Sequence, residues 1–410
     1  MKPLLFALMA LAHALASAQD VTLQDVARMP APQILHSEPA ASDGITVRHI
    51  VFRSTEVGGV PNEVYAVLAA PRHAGPHPAL LVLHPGRAAA QAAIAEEWAR
   101  KGYVAISPDL PGIANPDLAP RSGGLWKQRP YGADRWTVSP SLAHSTVFQS
   151  LAAGAGAIRL LQQMDNVDAK RIGIIGASWG SYMTTVLAGL LGEDIRAAYA
   201  VWGAGFFEDT VFATNLASLS DAERSRWQSA LGAEHYLPRI SARFFIAGAS
   251  NDRAFYLPSL VRSYENIQAP KGIVFGPNAD HDAGGYAGGP PPDGRNWTAQ
   301  EVTFFEHALK GIGVPLPHVD TVKLAPQFAE VQVEAEAGVR ELALFHAPAG
   351  TPWPQRRWTQ LAAERIKVIG GKRYRIDLSG LEPGAWYVIA TDLRGVSASS
   401  LPKPLDGQRL

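Results

Sequence analysis

The sequence predicts an α/β fold, in which a mainly parallel sheet carries helices on both faces and a smaller β-sandwich follows. Short apolar runs alternate with helical patterns from about residue 75 to residue 310, which is typical of a parallel sheet. One such run, Ile172–Ile175, passes through a tight turn directly into a helical stretch. After Gly311 the helical pattern stops, and short β runs separated by Gly and Pro begin.

Length and composition exclude several classes of protein. The chain has 410 residues, enough for two or more domains. Lys plus Arg and Asp plus Glu each number 37, so the formal charge is zero and no basic face for nucleic acid is indicated. There is no Cys, which excludes both a disulfide and a thiol nucleophile.

The N-terminus has the pattern of a bacterial signal peptide over Met1–Ala18. Lys2 supplies the positive start, Leu4–Leu15 the apolar middle and Ala16-Ser17-Ala18 the small-residue cleavage site. That apolar run is too short to span a bilayer, and no later stretch approaches about 20 apolar residues. We therefore expect a mature protein that begins near Gln19, is secreted or periplasmic, and has no membrane span.

The first domain is assigned to residues 19–312. Asp20–Asp43 is expected to be a mixed segment that forms a leader over the surface, and Ile45–Arg53 and Asn62–Ala70 an antiparallel pair. Two long inserts, Ile113–Pro140 and Phe206–Leu237, carry bulky aromatic residues, and loops of this length often cover a site. The strands expected in the parallel sheet are Ala79–Leu83, Tyr103–Ser107, Ile172–Ile175, Ala197–Trp202, Arg243–Ala247 and Gly272–Phe275.

The second domain is assigned to residues 318–410, after a hinge at Gly311–Pro317. Its short β runs, separated by Gly and Pro turn signals, predict an immunoglobulin-like or fibronectin-like β-sandwich that acts as an accessory module. The runs are Phe328–Val333, Glu341–His346, Arg365–Ile369, Tyr374–Leu378 and Trp386–Asp392.

The tight turn is the G-x-S-x-G motif Gly176-Ala177-Ser178-Trp179-Gly180. Between a buried strand and a helix, this motif is typical of a nucleophile elbow, a turn that exposes a serine hydroxyl at the carboxyl end of the sheet. The chain reverses so sharply that the positions two before and two after the serine must be small, and both are Gly. Ser178 is therefore the predicted nucleophile.

A serine hydroxyl needs a base to remove its proton and an acid to orient that base. In hydrolases with this elbow the chain order is nucleophile, acid, histidine. Of the 12 His, only His281 lies in the loop after the last core strand, and Asp252 follows the strand before it. Glu208 and Asp209 are the alternative acids, while Asp280 and Asp282 are expected to be solvated loop carboxylates.

The developing oxyanion of an ester substrate needs hydrogen-bond donors. One should be the backbone N–H of Trp179, and the other should come from the loop His84-Pro85-Gly86-Arg87. Because Pro85 has no N–H, Gly86 or Arg87 must supply the second donor.

Four aromatic residues are candidates for binding substrate: Trp126 and Trp136 in the first insert, and Trp202 and Phe206 at the second. The sequence contains no phosphate-binding G-x-x-x-x-G-K-[ST] motif and no H-E-x-x-H zinc motif. We expect no cofactor and no metal, and a small-molecule or carbohydrate ester as the substrate. The oligomeric state stays open.

The sequence resembles the α/β-hydrolase superfamily, and more narrowly the secreted acetylxylan esterase and dienelactone hydrolase-like group related to prolyl oligopeptidase catalytic domains. The resemblance covers about residues 75 to 310 and implies that Ser178, Asp252 and His281 are nucleophile, acid and base. His-Pro-Gly-Arg stands where many members have His-Gly-Gly, and the β-sandwich is not general in the group. The matching stretches are Trp98–Ala105, Arg171–Gly189, Ala197–Phe207, Ala247–Pro258 and Asn278–Asp282.

These observations predict a secreted serine hydrolase of short-chain carboxylic esters, of the acetyl esterase type. The alternatives are a serine peptidase of the prolyl oligopeptidase-like type and a non-catalytic carbohydrate- or surface-binding protein with a decayed hydrolase domain. Since every residue of the expected chemistry precedes the hinge, a chain that ends near Gly313 is expected to remain catalytic on small esters.

Overall fold

The computed structural model describes residues 21–281 and 297–405. The predicted signal peptide and Asp282 lie outside the described residues. Among the helices of the described part, none is long and apolar enough to cross a membrane.

A nine-stranded sheet forms the centre of the fold, with strand order β1-β2-β3-β5-β4-β6-β7-β8-β9. The first three strands and the β3–β5 pair are antiparallel, and every neighbouring pair from β5 to β9 in this order is parallel. The prediction of a mainly parallel sheet is therefore confirmed. Its strands are β1 Ile34–Ala40, β2 Ile45–Val57, β3 Val60–Pro71, β4 His77–Leu83, β5 Val104–Pro108, β6 Val167–Ala177, β7 Ala197–Val201, β8 Arg243–Ala249 and β9 Lys271–Gly276.

Helices cover both faces of this sheet. Alternate residues of β6 enter two apolar cores, Ile174 one and Ile175 the other, because successive side chains of a strand point to opposite faces. The α-helices of the described part are α1 Leu23–Arg28, α2 Ala92–Arg100, α3 Thr146–Gln162, α4 Trp179–Leu191, α5 Ala213–Ala217, α6 Asp221–Leu231, α7 Leu257–Asn266 and α8 Trp297–Phe305. Helices α3 and α4 pack in the first core, and α2 and α8 in the second.

The segment expected to be a surface leader contains α1 and β1. A capping box starts α1: the Thr22 hydroxyl accepts the Asp25 N–H at 3.2 Å, and the Asp25 carboxylate accepts the Thr22 N–H at 2.9 Å. Leu23 and Val26 are then buried in the first core, where they anchor the segment.

After residue 317 the chain forms two antiparallel sheets, one of order β10-β11-β15-β14 and one of order β13-β12-β16-β17 with β18 on β16. Val331, Leu344 and Trp386 belong to the apolar core that the two sheets share, which confirms the predicted β-sandwich. Its strands are β10 His318–Ala325, β11 Phe328–Glu334, β12 Val339–Pro348, β13 Thr359–Gln360, β14 Ile366–Gly370, β15 Arg373–Asp377, β16 Gly384–Asp392, β17 Ser397–Ser399 and β18 Lys403–Pro404.

The sandwich packs directly on β9, the edge strand of the central sheet. The Ser399 hydroxyl in β17 accepts the Phe275 N–H at 3.0 Å, and the rings of Phe275 and Tyr387 lie 5.9 Å apart. Phe345, Trp358 and Tyr387 of the sandwich share an apolar core with the first face of the sheet. A chain that ends near Gly313 would uncover this core and a sheet edge, so we expect it to be less stable than the full chain, while its activity on small esters stays a prediction.

Candidate active site

The G-x-S-x-G turn has the geometry of a nucleophile elbow. Strand β6 ends at Ala177 and α4 begins at Trp179, which leaves Ser178 between them with φ 56° and ψ −118°. A Cβ at Gly176 would lie 2.2 Å from the carbonyl oxygen of Gly180, and one at Gly180 would lie 2.3 Å from that of Leu83. Both positions therefore require glycine, and the turn holds Ser178 in a strained left-handed conformation at the carboxyl end of the sheet.

A continuous hydrogen-bond chain joins the three residues predicted to carry the chemistry. The Ser178 Oγ lies 2.8 Å from Nε2 of His281, and Nδ1 of His281 lies 2.9 Å from both carboxylate oxygens of Asp252. Since Nδ1 faces a carboxylate, it carries the ring proton, and Nε2 is left free to accept the hydroxyl proton of Ser178. Such an arrangement can act chemically as a serine nucleophile with its base and orienting acid.

Asp252 is fixed by its own loop. Its Oδ1 accepts the N–H groups of Ala254 and Phe255 at 2.7 and 2.8 Å, and the residue is only 1% exposed. Burial raises the pKa of Asp252, and the hydrogen bond from His281 opposes that rise. The bonds from three donors thus stabilise the ionised form that can orient His281.

The other carboxylates considered as the acid have different partners. Asp280 pairs with Arg253 and accepts the backbone N–H of His281, so it contacts the base only through the main chain. Glu208 and Asp209 both pair with Arg262.

Two backbone N–H groups beside the elbow are candidate oxyanion donors. The N–H of Trp179 opens α4, and neither it nor the N–H of Gly86 has a hydrogen-bond acceptor among the described residues. The prediction of Arg87 as a donor is wrong, because its N–H already donates to the carbonyl oxygen of Ile113 at 3.1 Å. Gly86 is therefore the second candidate.

Gly86→Ala tests this assignment. The new Cβ would lie 2.5 Å from the Tyr131 hydroxyl and 2.8 Å from Cδ1 of Trp179, so the loop or the indole must shift. We expect kcat/KM to fall by about 10- to 100-fold, because the shift displaces one oxyanion donor without removing it. Gly123→Ala is the matched control, since its Cβ has no neighbour nearer than 3.5 Å. Equal kcat/KM for the two variants and wild type would mean that this loop supplies no donor.

His84, at the start of the same loop, has a structural role. Its Nδ1 donates to the carbonyl oxygen of Pro85 at 2.7 Å and its Nε2 accepts the N–H of Leu110 at 2.9 Å. Burial lowers the pKa of His84 to about 4, so the ring is neutral and joins two loops of the sheet edge.

Aromatic side chains enclose the elbow. The ring of Trp179 lies 4.9 Å from Phe212, 5.4 Å from Phe207 and 6.2 Å from Trp136. Trp202 and Phe255 lie beside the base, with ring centroids 6.0 and 6.1 Å from that of His281. Ser178 is consequently only 9% exposed, and His281 only 8%. The site is a narrow, apolar-walled space.

Two of the four residues predicted to bind substrate lie elsewhere. Trp126 is buried against Ala114 and Ala119 in a separate small cluster. Phe206 packs under the guanidinium of Arg262, which lies 4.0 Å from the ring centroid, and its neighbour Phe207 is the one that reaches the elbow. Of the four, Trp136 and Trp202 are the residues that the structure brings to the site.

The comparisons with known proteins agree with this fold. Residues 64–255 match the model of the dienelactone hydrolase family. An acetyl xylan esterase 1 from Thermoanaerobacterium sp. JW/SL YS485 is 17% identical with a TM-score of 0.51, over 63% of this chain and 86% of the esterase. The acylaminoacyl peptidase of Pyrococcus horikoshii is 18% identical with a TM-score of 0.50, over 68% of this chain and 43% of the peptidase. The chain has an α/β-hydrolase fold. Among curated proteins no match is found.

The family match covers only part of the candidate site. Its range, residues 64–255, includes Gly86, Ser178 and Asp252 but ends before His281 and before the β-sandwich.

Sequence reasoning missed one buried cation beside the candidate site. Arg135, 7% exposed, lies over the rings of Tyr131 and Trp179 at 4.3 and 4.7 Å and donates to the carbonyl oxygen of Gly112 at 3.3 Å. No carboxylate of the described residues pairs with it, and burial lowers the pKa of its guanidinium. A lone Arg in a long insert gives no sequence signal for this position.

Two other features of the described residues do not extend the candidate site. Within residues 21–281 and 297–405, no group of three or more His, Asp or Glu residues could hold a metal ion. A cavity of about 690 Å³ opens between the two domains, but Arg243 and Lys271 in its wall begin β8 and β9. The cavity therefore lies at the amino ends of the parallel strands, whereas Ser178 lies at their carboxyl ends.

Proposed function

We propose that the protein is an exported serine hydrolase that cleaves carboxylic esters of short acids. The observation that carries the proposal is the hydrogen-bond chain from Ser178 through His281 to Asp252, which supports an active enzyme rather than a decayed binding domain. Export rests on the signal-peptide pattern of Met1–Ala18.

The acylation step follows from the geometry. His281 Nε2 takes the proton of the Ser178 hydroxyl while Oγ attacks the ester carbonyl carbon, and Asp252 stabilises the imidazolium that forms. The carbonyl oxygen becomes an oxyanion, which accepts from the N–H groups of Trp179 and Gly86. His281 then gives the proton to the leaving alkoxide, so an alcohol departs and an acyl-enzyme remains.

Deacylation repeats the same transfers with water. His281 removes a proton from water, the hydroxide oxygen attacks the acyl carbon, and the tetrahedral intermediate uses the same two N–H donors. When it collapses, the proton returns to Ser178 Oγ and the carboxylic acid leaves. No group beyond these residues has to change its protonation state.

The aromatic wall predicts a preference for short acyl chains. An open apolar trench would add about 0.8 kcal/mol, or roughly fourfold in binding, for each methylene buried. The rings packed around Trp179 support a short acyl pocket instead, so we expect acetyl and propionyl esters to have a higher kcat/KM than octanoyl esters. The measurement is kcat/KM over p-nitrophenyl esters of rising chain length.

Two tryptophans of the first insert give a matched pair for that series. Trp136→Ala opens the wall beside Trp179 and should raise the relative kcat/KM for octanoyl esters, whereas Trp126→Ala should leave the ratio unchanged. A maximum at eight carbons or more in the wild type would contradict the closed pocket. Preferred cleavage of dipeptide amides in the same assay would favour the peptidase alternative.

A further inference from the structure

The loops that carry the candidate acid and base are bonded to the same piece of the β-sandwich. Asn251, beside Asp252, donates its side-chain amide to the carbonyl oxygens of Pro354 and Arg356, the first at 3.2 Å. Asn278, three residues before His281, donates to the carbonyl oxygen of Trp358 and accepts the Trp358 N–H, both at 2.8 Å. The 354–358 segment of the sandwich thus contacts both loops.

The two loops are also bonded to each other. The Ser250 hydroxyl donates to Oδ1 of Asn251 at 2.7 Å and accepts the N–H of Asn278 at 2.8 Å. The N–H of Asn251 donates to the carbonyl oxygen of Ala279 at 3.0 Å. A displacement of either loop is therefore transmitted to the other.

The segment itself is held rigidly by the sandwich. Trp358 is only 2% exposed, and its ring lies 4.8 Å from that of Tyr387. The next residue, Thr359, begins β13, which pairs with β12 opposite His346. Because Trp358 is buried and Thr359 is paired in β13, the sandwich holds this end of the 354–358 segment in place against the two loops.

We propose that the 354–358 segment positions the catalytic acid and base, with Asn251 and Asn278 as the positioning residues through which it acts. The inference rests on the proposed function, in which Asp252 and His281 serve Ser178. In this proposal the sandwich contributes to turnover and is more than an accessory module.

Asn278 shows how the support works. Its backbone has φ 57°, a left-handed conformation that Asn tolerates better than most residues, and it turns the chain toward His281. Its amide forms two hydrogen bonds with one residue of the sandwich, which fixes both the position and the orientation of the loop. The 2.8 Å contact from Ser178 to His281 depends on that placement, since reactions in enzymes are sensitive to errors of about 1 Å.

The test uses the full-length protein with Asn278→Gly and Asn251→Ala. Glycine keeps the left-handed backbone at 278 and removes only the amide. Gln300→Ala is the matched control, because Gln300 accepts the Ser397 N–H of the sandwich at 3.0 Å but belongs to neither loop. For each protein we measure kcat and KM on p-nitrophenyl acetate, the melting temperature, and the rate at which a fluorophosphonate labels Ser178.

We expect both Asn variants to lower kcat and the labelling rate by about 10- to 100-fold, with KM changed by less than about threefold. Gln300→Ala should lower the melting temperature to a similar extent and leave kcat unchanged. Asn278→Asp, which keeps the acceptor for the Trp358 N–H, should recover part of the loss.

Wild-type kcat in both Asn variants would overturn the inference, and so would a loss of kcat matched by Gln300→Ala. If one Asn variant does not fold, the other decides the question alone. A failure of the proposed function is distinguishable, because Ser178→Ala would then hydrolyse the ester as fast as wild type.

Discussion

Ser178→Ala is expected to lower kcat for p-nitrophenyl acetate by at least about three orders of magnitude, the usual scale for losing a member of such a triad. The Oγ is the atom that lies 2.8 Å from His281 Nε2, and alanine has nothing to take its place. The fold should persist, because Ala and Ser carry the same Cβ in the strained conformation at φ 56°. The measurement is steady-state turnover together with a circular dichroism spectrum.

Ser150→Ala is the control for this prediction. Ser150 is also fully buried, and its hydroxyl donates to the carbonyl oxygen of Pro111 at 2.8 Å. Its loss should cost about 1 kcal/mol in the free energy of unfolding and leave kcat nearly unchanged. Near-normal turnover by Ser178→Ala would show that the elbow does not supply the nucleophile.

The elbow could be predicted from sequence because its requirements are local. Gly176 and Gly180 stand at the two positions where the Cβ of any other residue would meet a carbonyl oxygen within 2.3 Å. The order of Ser178, Asp252 and His281 follows from which strands end beside one another in a parallel sheet. The glycine positions and the order of the three residues can both be read directly from the sequence.

The errors concern contacts that local sequence does not contain. Arg87 and Gly86 are neighbours, and only the bond from the Arg87 N–H to Ile113 distinguishes them as donors. Phe206 and Phe207 differ by one position, and the turn that starts there directs only the second to Trp179. Phe206 and Phe207 are the same residue type, and the backbone N–H of Gly86 or Arg87 does not depend on residue type. Residue type therefore could not distinguish the two candidates in either pair.

The N-terminal helix and the contacts between the two domains differ in how far the sequence indicates them. The helix at Leu23–Arg28 had a readable signal, the capping pair Thr22 and Asp25, so that element could have been predicted. The contacts from Asn251 and Asn278 to the sandwich had none, because their partners lie 80 to 105 residues further along the chain. The β runs that mark the second domain therefore do not show which of its residues pack against the first domain.

Asp252→Asn is expected to lower kcat by about three to four orders of magnitude, because it reverses the hydrogen bond that sets the tautomer of His281. Oδ1 already accepts the N–H groups of Ala254 and Phe255, so the oxygen of an asparagine stays there and its NH₂ takes the place of Oδ2. The NH₂ then donates to Nδ1 of His281, and the ring proton moves to Nε2. In that tautomer Nε2 cannot accept the proton of Ser178.

Asp280→Asn is the matched control, since it makes the same substitution one residue from the base. The Asp280 Oδ1 accepts the backbone N–H groups of Arg253 and His281, and an asparagine oxygen can accept both. Only the ion pair with Arg253 is lost, and that pair is exposed enough to contribute about 0–1 kcal/mol to stability. We therefore expect Asp280→Asn to keep most of the wild-type kcat. An inactive Asp280→Asn beside an active Asp252→Asn would transfer the role of the acid to Asp280, and the orientation of His281 would then have to come through its backbone rather than its ring.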